Sequence, residues 1–174
     1  MGQKLKVMEY NIHFITTADG RYLENIVLEL NLENGKKFKM GGISYDVALE
    51  IRKYLTRPKP NEAFPPYLND ARFTLVDILL DIPQLEKALH SSIKEIVIDY
   101  FDPDYNIYGA SIYLNDNLTY RRGRILMIPS HAILLALIGN KDVYVSSDLV
   151  RDGRELEEDT DIYLDDDDEE YIGK

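Results

Sequence analysis

Residues Lys94–Leu114 read KEIVIDYFDPDYNIYGASIYL, two alternating apolar runs joined by a short polar connection. Period-two alternation places successive side chains on opposite faces of an extended chain. The first run, Lys94–Phe101, alternates around Ile96, Ile98 and Tyr100, and Asp104–Tyr105 forms the connection. In the second run Tyr108, Ala110, Ile112 and Leu114 share one face, with Ile107, Gly109, Ser111 and Tyr113 on the other. Asn115–Asn117 is a further turn signal, and Leu118–Ile128 is predicted to return as a third strand. Three consecutive strands of this kind imply an antiparallel sheet.

The pattern extends in both directions. On the C-terminal side, Pro129 stands where a helix can begin, and Ala132, Leu135 and Ala136 form a close-packing face. Gly139–Asn140 stops that helix, Val143–Val145 is a short strand, and Ser146–Asp148 caps a last turn. On the N-terminal side, Lys4–Thr16 alternates loosely, and Ile26, Leu28, Leu30 and Leu32 keep strict period two. Asn34–Gly35 tolerates the positive φ of a tight hairpin turn, after which Phe38 and Met40 lie on a returning strand. Ile43, Val47, Ile51 and Leu55 recur at helical spacing, predicting a helix over Ser44–Leu55 with Ser44 as its cap. Arg57–Asp70, with four prolines, is predicted to be a loop or crossover; Thr74–Leu80 suits a short buried helix, and Leu85–His90 another after Pro83. Strands followed by a helix thus occur once in each half, and neither half suffices alone.

The predicted fold class is α+β: a single domain over residues 1–154, with a mainly antiparallel sheet and short packing helices, followed by an acidic tail over 155–174. Charge supports the division. Of the formal net charge of −11, Glu155–Lys174 holds −10, from eleven acids and one lysine, which leaves −1 for the preceding 154 residues. Asp165–Glu170 is six consecutive acids, whose repulsion favours an extended chain, although Ile162–Leu164 and Tyr171–Ile172 supply apolar segments able to dock. The tail reads as a solubilising segment, or as one that excludes nucleic acid or engages a basic partner. Lys36–Lys37–Lys39 and Arg121–Arg122–Arg124 are the densest basic clusters, and a solvated hairpin or strand edge accounts for each. With no cysteine, disulfides, thiol catalysis and thiolate metal sites are excluded. No secretory signal or bilayer-length apolar run is evident, so the expectation is a soluble cytoplasmic protein without a membrane partner.

Phosphate-loop, dinucleotide, metalloprotease and nucleophile-elbow motifs are absent. Gly41–Gly42 before a helix is explained by a tight turn. His13 and His90 suit surface or packing roles. His131 is the stronger candidate, because Pro129–Ser130–His131–Ala132 opens a helix and imidazole can transfer a proton near neutral pH. Ser130 is either part of that site or a helix cap. Asp77 lies in the apolar run Thr74–Leu80, where an ionised carboxylate needs a partner, and Arg72 can supply one.

These residues carry a resemblance. Ile-Pro-Ser-His-Ala-Ile-Leu-Leu-Ala-Leu at Ile128–Leu137, then Val-Tyr-Val-Ser-Ser-Asp-Leu-Val at Val143–Val150, are similar to a stretch of the bifunctional nuclease family. There the motif usually reads Arg-Pro-Ser-Asp-Ala-Ile-Ala-Leu-Ala, followed by Ile-Tyr-Val. Arg72–Ile78 resembles the family's Arg-Pro-Leu-Thr-His-Asp-Leu, with Arg72 and Asp77 matching and Val76 in place of histidine. His131 replaces the motif's aspartate, and Met127 or Ile128 its arginine, while Pro129, Ser130 and Ala132 match. The resemblance spans about Met1–Val150. It implies an α+β homodimer or higher homo-oligomer that hydrolyses DNA or RNA phosphodiesters with magnesium or manganese, through Arg72, Asp77, Ser130 and His131. The substituted positions imply the alternative: a non-enzymatic interaction or regulatory protein with a degenerate site, whose partner is nucleic acid or a basic protein.

Overall fold

A computed structural model describes residues 2–56, 82, 84–115 and 124–151. The elements run β1 (Lys4–Thr16), β2 (Leu23–Leu32), β3 (Lys37–Met40), α1 (Tyr45–Leu55), α2 (Leu85–Ser92), β4 (Ile93–Asp102), β5 (Ile107–Leu114), β6 (Arg124–Met127), α3 (Pro129–Ile138), β7 (Val143–Ser146) and α4 (Ser147–Arg151). Among the described residues seven strands form one sheet in the order β3-β2-β1-β7-β4-β5-β6, and these residues make up a single α+β domain. All pairings are antiparallel except β4 with β7.

β1 joins the two halves. Lys4–Lys6 pairs with β7, and Val7–Thr16 pairs with β2. The loose alternation of β1 has a definite cause. Val7 and Glu9 sit opposite the consecutive residues Leu32 and Asn31, so Met8 is an extra residue, a β-bulge. Leu5 and Val7 face the core before the bulge, and Tyr10 and Ile12 pack against it afterwards. β4 carries similar shifts at Lys94 and Asp99. The shift at Lys94 explains why Ile93 and Ile96 are buried three rather than two residues apart, whereas Ile96 and Ile98 keep period two. The shift at Asp99 corrects the predicted face of Tyr100, leaving it exposed, while Phe101 meets Tyr108 with ring centroids 4.9 Å apart.

One sheet face is sealed by α1 and α3, which touch each other. Ala48 on α1 and Ala132 and Ala136 on α3 are fully buried, and side chains of this size let the helix axes approach closely. Leu28, Leu30, Ile96, Ile98, Ile112, Ile133 and Val145 fill the layer between helices and sheet. Each such side chain contributes about 1.5–3 kcal/mol by leaving water. α3 is apolar almost all round, as befits a helix with little solvent contact. Its last carbonyls are closed by Asn140, at φ 49°, and by the Lys141 N–H donating to the Ala136 oxygen at 2.8 Å.

Several boundaries differ from expectation. Ser44 occupies the cap position of α1, yet its side chain makes no cap hydrogen bond. The strand predicted over Leu118–Ile128 is described only as Arg124–Met127. Ile128, not Ser130, precedes α3 as its cap residue. The segments Arg57–Asp70 and Thr74–Leu80 and the acidic tail lie outside the described residues.

Candidate functional site

Arg72 and Asp77 lie outside the described residues, so Ser130 and His131 are the sequence candidates with a defined place. Both stand in the first turn of α3. Consecutive helical residues project about 100° apart, and this pair divides accordingly: Ser130 is buried and His131 exposed. Pro129, Ala132, Ile133 and Leu134 around them are buried and, apart from Ser130 itself, apolar. The other histidines take packing or surface places. His90 donates through Nδ1 to the Gly139 carbonyl at 3.0 Å, tying α2 to the end of α3, and His13 is exposed on β1.

This arrangement corrects the expectation of a metal-assisted nuclease. Phosphodiester hydrolysis with magnesium or manganese needs converging carboxylate or imidazole ligands to hold the ion and activate water. Among the described residues, no group of three or more histidine, aspartate or glutamate side chains converges in that way. His131, which replaces the motif's aspartate, therefore has no ligand set around it among these residues. The hydrolase and nuclease assignments fall with that observation, and the non-enzymatic alternative is the better supported.

Sequence reasoning missed two polar clusters, both on the sheet face away from α1 and α3. In the first, Ser111 Oγ donates to Asp99 Oδ1 at 2.6 Å and accepts from Arg124 Nε at 2.8 Å. Tyr113 OH reaches Asp99 Oδ2 at 3.4 Å. The bulge at Asp99 brings its carboxylate over β5. Although Asp99 and Ser111 echo two members of a hydrolytic triad, the third position holds a guanidinium, which cannot accept a proton. The cluster joins β4, β5 and β6 through side-chain hydrogen bonds.

The second cluster surrounds Glu29, whose neighbours across β3 are Lys37 at 2.9 Å and Lys39 at 3.6 Å. Burial alone raises the Glu29 carboxyl pKa, but the Lys37 hydrogen bond and charge, with Lys39 and His13, outweigh it and hold the group below the ordinary carboxylate range. A depressed pKa stabilises the fold above the unfolded value, and that contribution is lost as pH falls through the folded one. Wild type is therefore expected to exceed Glu29→Gln in urea stability at pH 7, with the gap closing below about pH 4.3. Urea titrations between pH 7 and 3 check this; a gap constant with pH contradicts it.

A cleft of about 410 Å³ opens at the β1 bulge, lined by Lys6, Met8, Tyr10, Tyr54, Asn140 and Asp142 among others. Lys6 pairs with Asp142 at 2.9 Å. Burial, reinforced by the charge of Asp142, drives the pKa of the Tyr10 phenol strongly upward, so it keeps its proton and stays a neutral hydroxyl.

A further group of exposed apolar side chains lies at β6. The two sheet edges differ in kind. β3 has four residues and alternates exposed Lys37 and Lys39 with buried Phe38 and Met40, the charged edge usual in proteins that avoid strand addition. β6 is also four residues long, yet it is apolar on both faces. Ile125, opposite Ile112, is 41% exposed, and Leu126, opposite Ser111, is 55% exposed. Tyr100, Ile107 and Ile128 add exposed apolar area beside them. Gly109 lets Tyr100 and Leu126 close over the sheet, since a Cβ there would lie 3.0 Å from a side-chain carbon of each. The sequence signal was Ile125–Leu126–Met127–Ile128, an apolar run without alternation, whose meaning depends on its place at an edge.

No helix among the described residues is long and apolar enough to cross a membrane. Comparison of the sequence with protein-family models and with curated proteins gives no match.

Proposed function

We propose that the protein is a non-enzymatic interaction protein, in which a scaffold resembling the bifunctional nucleases serves to bind another polypeptide along β6. The observation that carries this reading is the two-faced apolar edge. A strand with Ile125 and Leu126 exposed on opposite sides, and with no lysine or proline in it, suits the addition of another strand and cover on both faces. A second copy is the polypeptide favoured here. Residues 1–154 of each copy are nearly neutral, at −1, so the charge that would repel a second copy is carried by residues 155–174. A cytoplasmic setting belongs to the same reading.

Light scattering over a concentration series tests it. Wild type is expected to rise above monomer mass, and Leu126→Lys to need roughly tenfold or more higher concentration for the same association. Leu126 is exposed, so the variant should keep its fold, which circular dichroism checks. A wild type that stays monomeric throughout overturns the homo-oligomer, and equal association of both proteins moves the interface away from β6.

A further inference from the structure

We propose that Asn34 is a site of spontaneous deamidation, at which the Gly35 backbone nitrogen attacks the Asn34 side-chain amide whenever the β2–β3 turn opens. The inference goes beyond the interaction reading and does not depend on it.

Sequence selects the residue. Of ten asparagines, Asn34 is the one followed by glycine; the others precede Ile, Leu, Glu, Asp or Lys. The attacking nitrogen belongs to the following residue, and only glycine brings it in without a Cβ beside it. Both residues are exposed, and a Cβ built on Gly35 would meet nothing within 4 Å, so water reaches the turn.

The bonds balance with water as the co-reactant. Gly35 N bonds to Asn34 Cγ, the Cγ–Nδ2 bond breaks, and Nδ2 leaves as ammonia with the proton that Gly35 N gives up. Water then adds to either carbonyl of the cyclic imide. Breaking the bond from Cγ to Gly35 N gives aspartate, and breaking the original backbone bond gives isoaspartate. In each case Gly35 N recovers a proton.

The closed turn opposes the first step. The Gly35 N–H donates to the Leu32 carbonyl at 2.8 Å, and the Lys36 N–H donates to Asn34 Oδ1 at 3.0 Å. The first bond keeps the proton on the nucleophile and aims it across the turn, so attack waits until that bond breaks. The second folds the carboxamide over the intervening Gly35 peptide, which keeps the reactants together once Gly35 is released.

The turn before β2 supplies a comparison. The Gly20 N–H donates to the Thr17 carbonyl at 2.7 Å and the Arg21 N–H to Asp19 Oδ1 at 3.2 Å, with φ of 67° at Gly20 and 79° at Gly35. The Thr17 hydroxyl and the Arg21 N–H hold the Asp19 carboxyl below its ordinary range, and an ionised carboxylate has no group to lose. The same geometry is therefore reactive at Asn34 and much less so at Asp19. An aspartate evidently fits such a turn. Isoaspartate instead puts an extra carbon into the chain between Leu32 and Lys36, whose pairing sets the register of β3.

Peptide mapping by mass spectrometry tests the proposal on the full chain, aged at neutral pH in buffer and in urea. In urea Asn34 is expected to turn to acid ahead of the other asparagines, with an isoaspartate-specific methyltransferase labelling part of the product. In buffer the same conversion is expected roughly tenfold or more slowly, because the turn must first open. Gly35→Ala is aged in urea, where strain at a positive φ has no bearing, and is expected to convert roughly tenfold or more slowly than wild type there. Three results overturn the proposal: another asparagine converting first in urea, equal rates at Asn34 in buffer and urea, or Gly35→Ala converting as fast as wild type.

Discussion

Ile98→Ala is expected to lower the free energy of unfolding by about 2–5 kcal/mol. Ile98 is fully buried in β4, flanked by Ala110 on β5 and Val145 on β7. Removing three carbons there forfeits their transfer from water and leaves a hole. Ala110 is too small to fill that hole, and the branched Val145 is fixed on the neighbouring strand. The loss is a large part of the 5–15 kcal/mol by which domains are usually stable. Urea denaturation should show a lower midpoint at an unchanged slope. Ile96→Val, two residues away on the same face of β4, makes the comparison, with an expected cost of about 0.5–1.5 kcal/mol. A loss below 1 kcal/mol for Ile98→Ala would mean that α3 can settle onto the sheet.

Asp99→Ala is expected to cost about 1–3 kcal/mol, through a group left without its partner rather than through lost attraction. The Ser111 hydroxyl is fully buried and gives its proton to Asp99. Without the carboxylate that proton loses its charged acceptor: Arg124 only donates, and the Tyr113 hydroxyl loses the same partner. The Arg124–Asp99 ion pair, at 3.5 Å with the arginine half-exposed, adds little of its own. The mechanism has its own check. In a Ser111→Ala background the same substitution should cost distinctly less, since the stranded hydroxyl is already gone. Equal costs in both backgrounds would assign the effect to Tyr113 or to the shape of β4.

Local chemistry made much of the fold legible. Asn34–Gly35 announced its hairpin, and Pro129 and Gly139 bracketed α3 within a residue of where it starts and stops. The two β4 bulges were hidden, because an extra residue changes which side chains face inward without changing composition. That is why Tyr100 was placed on the wrong face. The insertion of β7 between β1 and β4 was hidden too, being a pairing of residues more than 130 apart in sequence for Lys4 and Ser146. The nuclease expectation came from Pro129–Ala132, where the sequence located Ser130 and His131 but not their division between interior and solvent. Asp99, Ser111 and Arg124 gave no local signal, since three strands must pair before they meet.

Met8 has a consequence for how β1 can tolerate change in length. Between Val7 and Tyr10 the chain already holds one residue more than its partner requires, so losing one there would restore plain alternation and keep Leu5, Val7, Tyr10 and Ile12 directed inward. A loss farther along, at Asn11 for example, would turn every preceding or following side chain inside out. The same surplus residue resists sliding of β1 along β2, because a two-residue slip that kept the faces correct would still have to carry the kink with it.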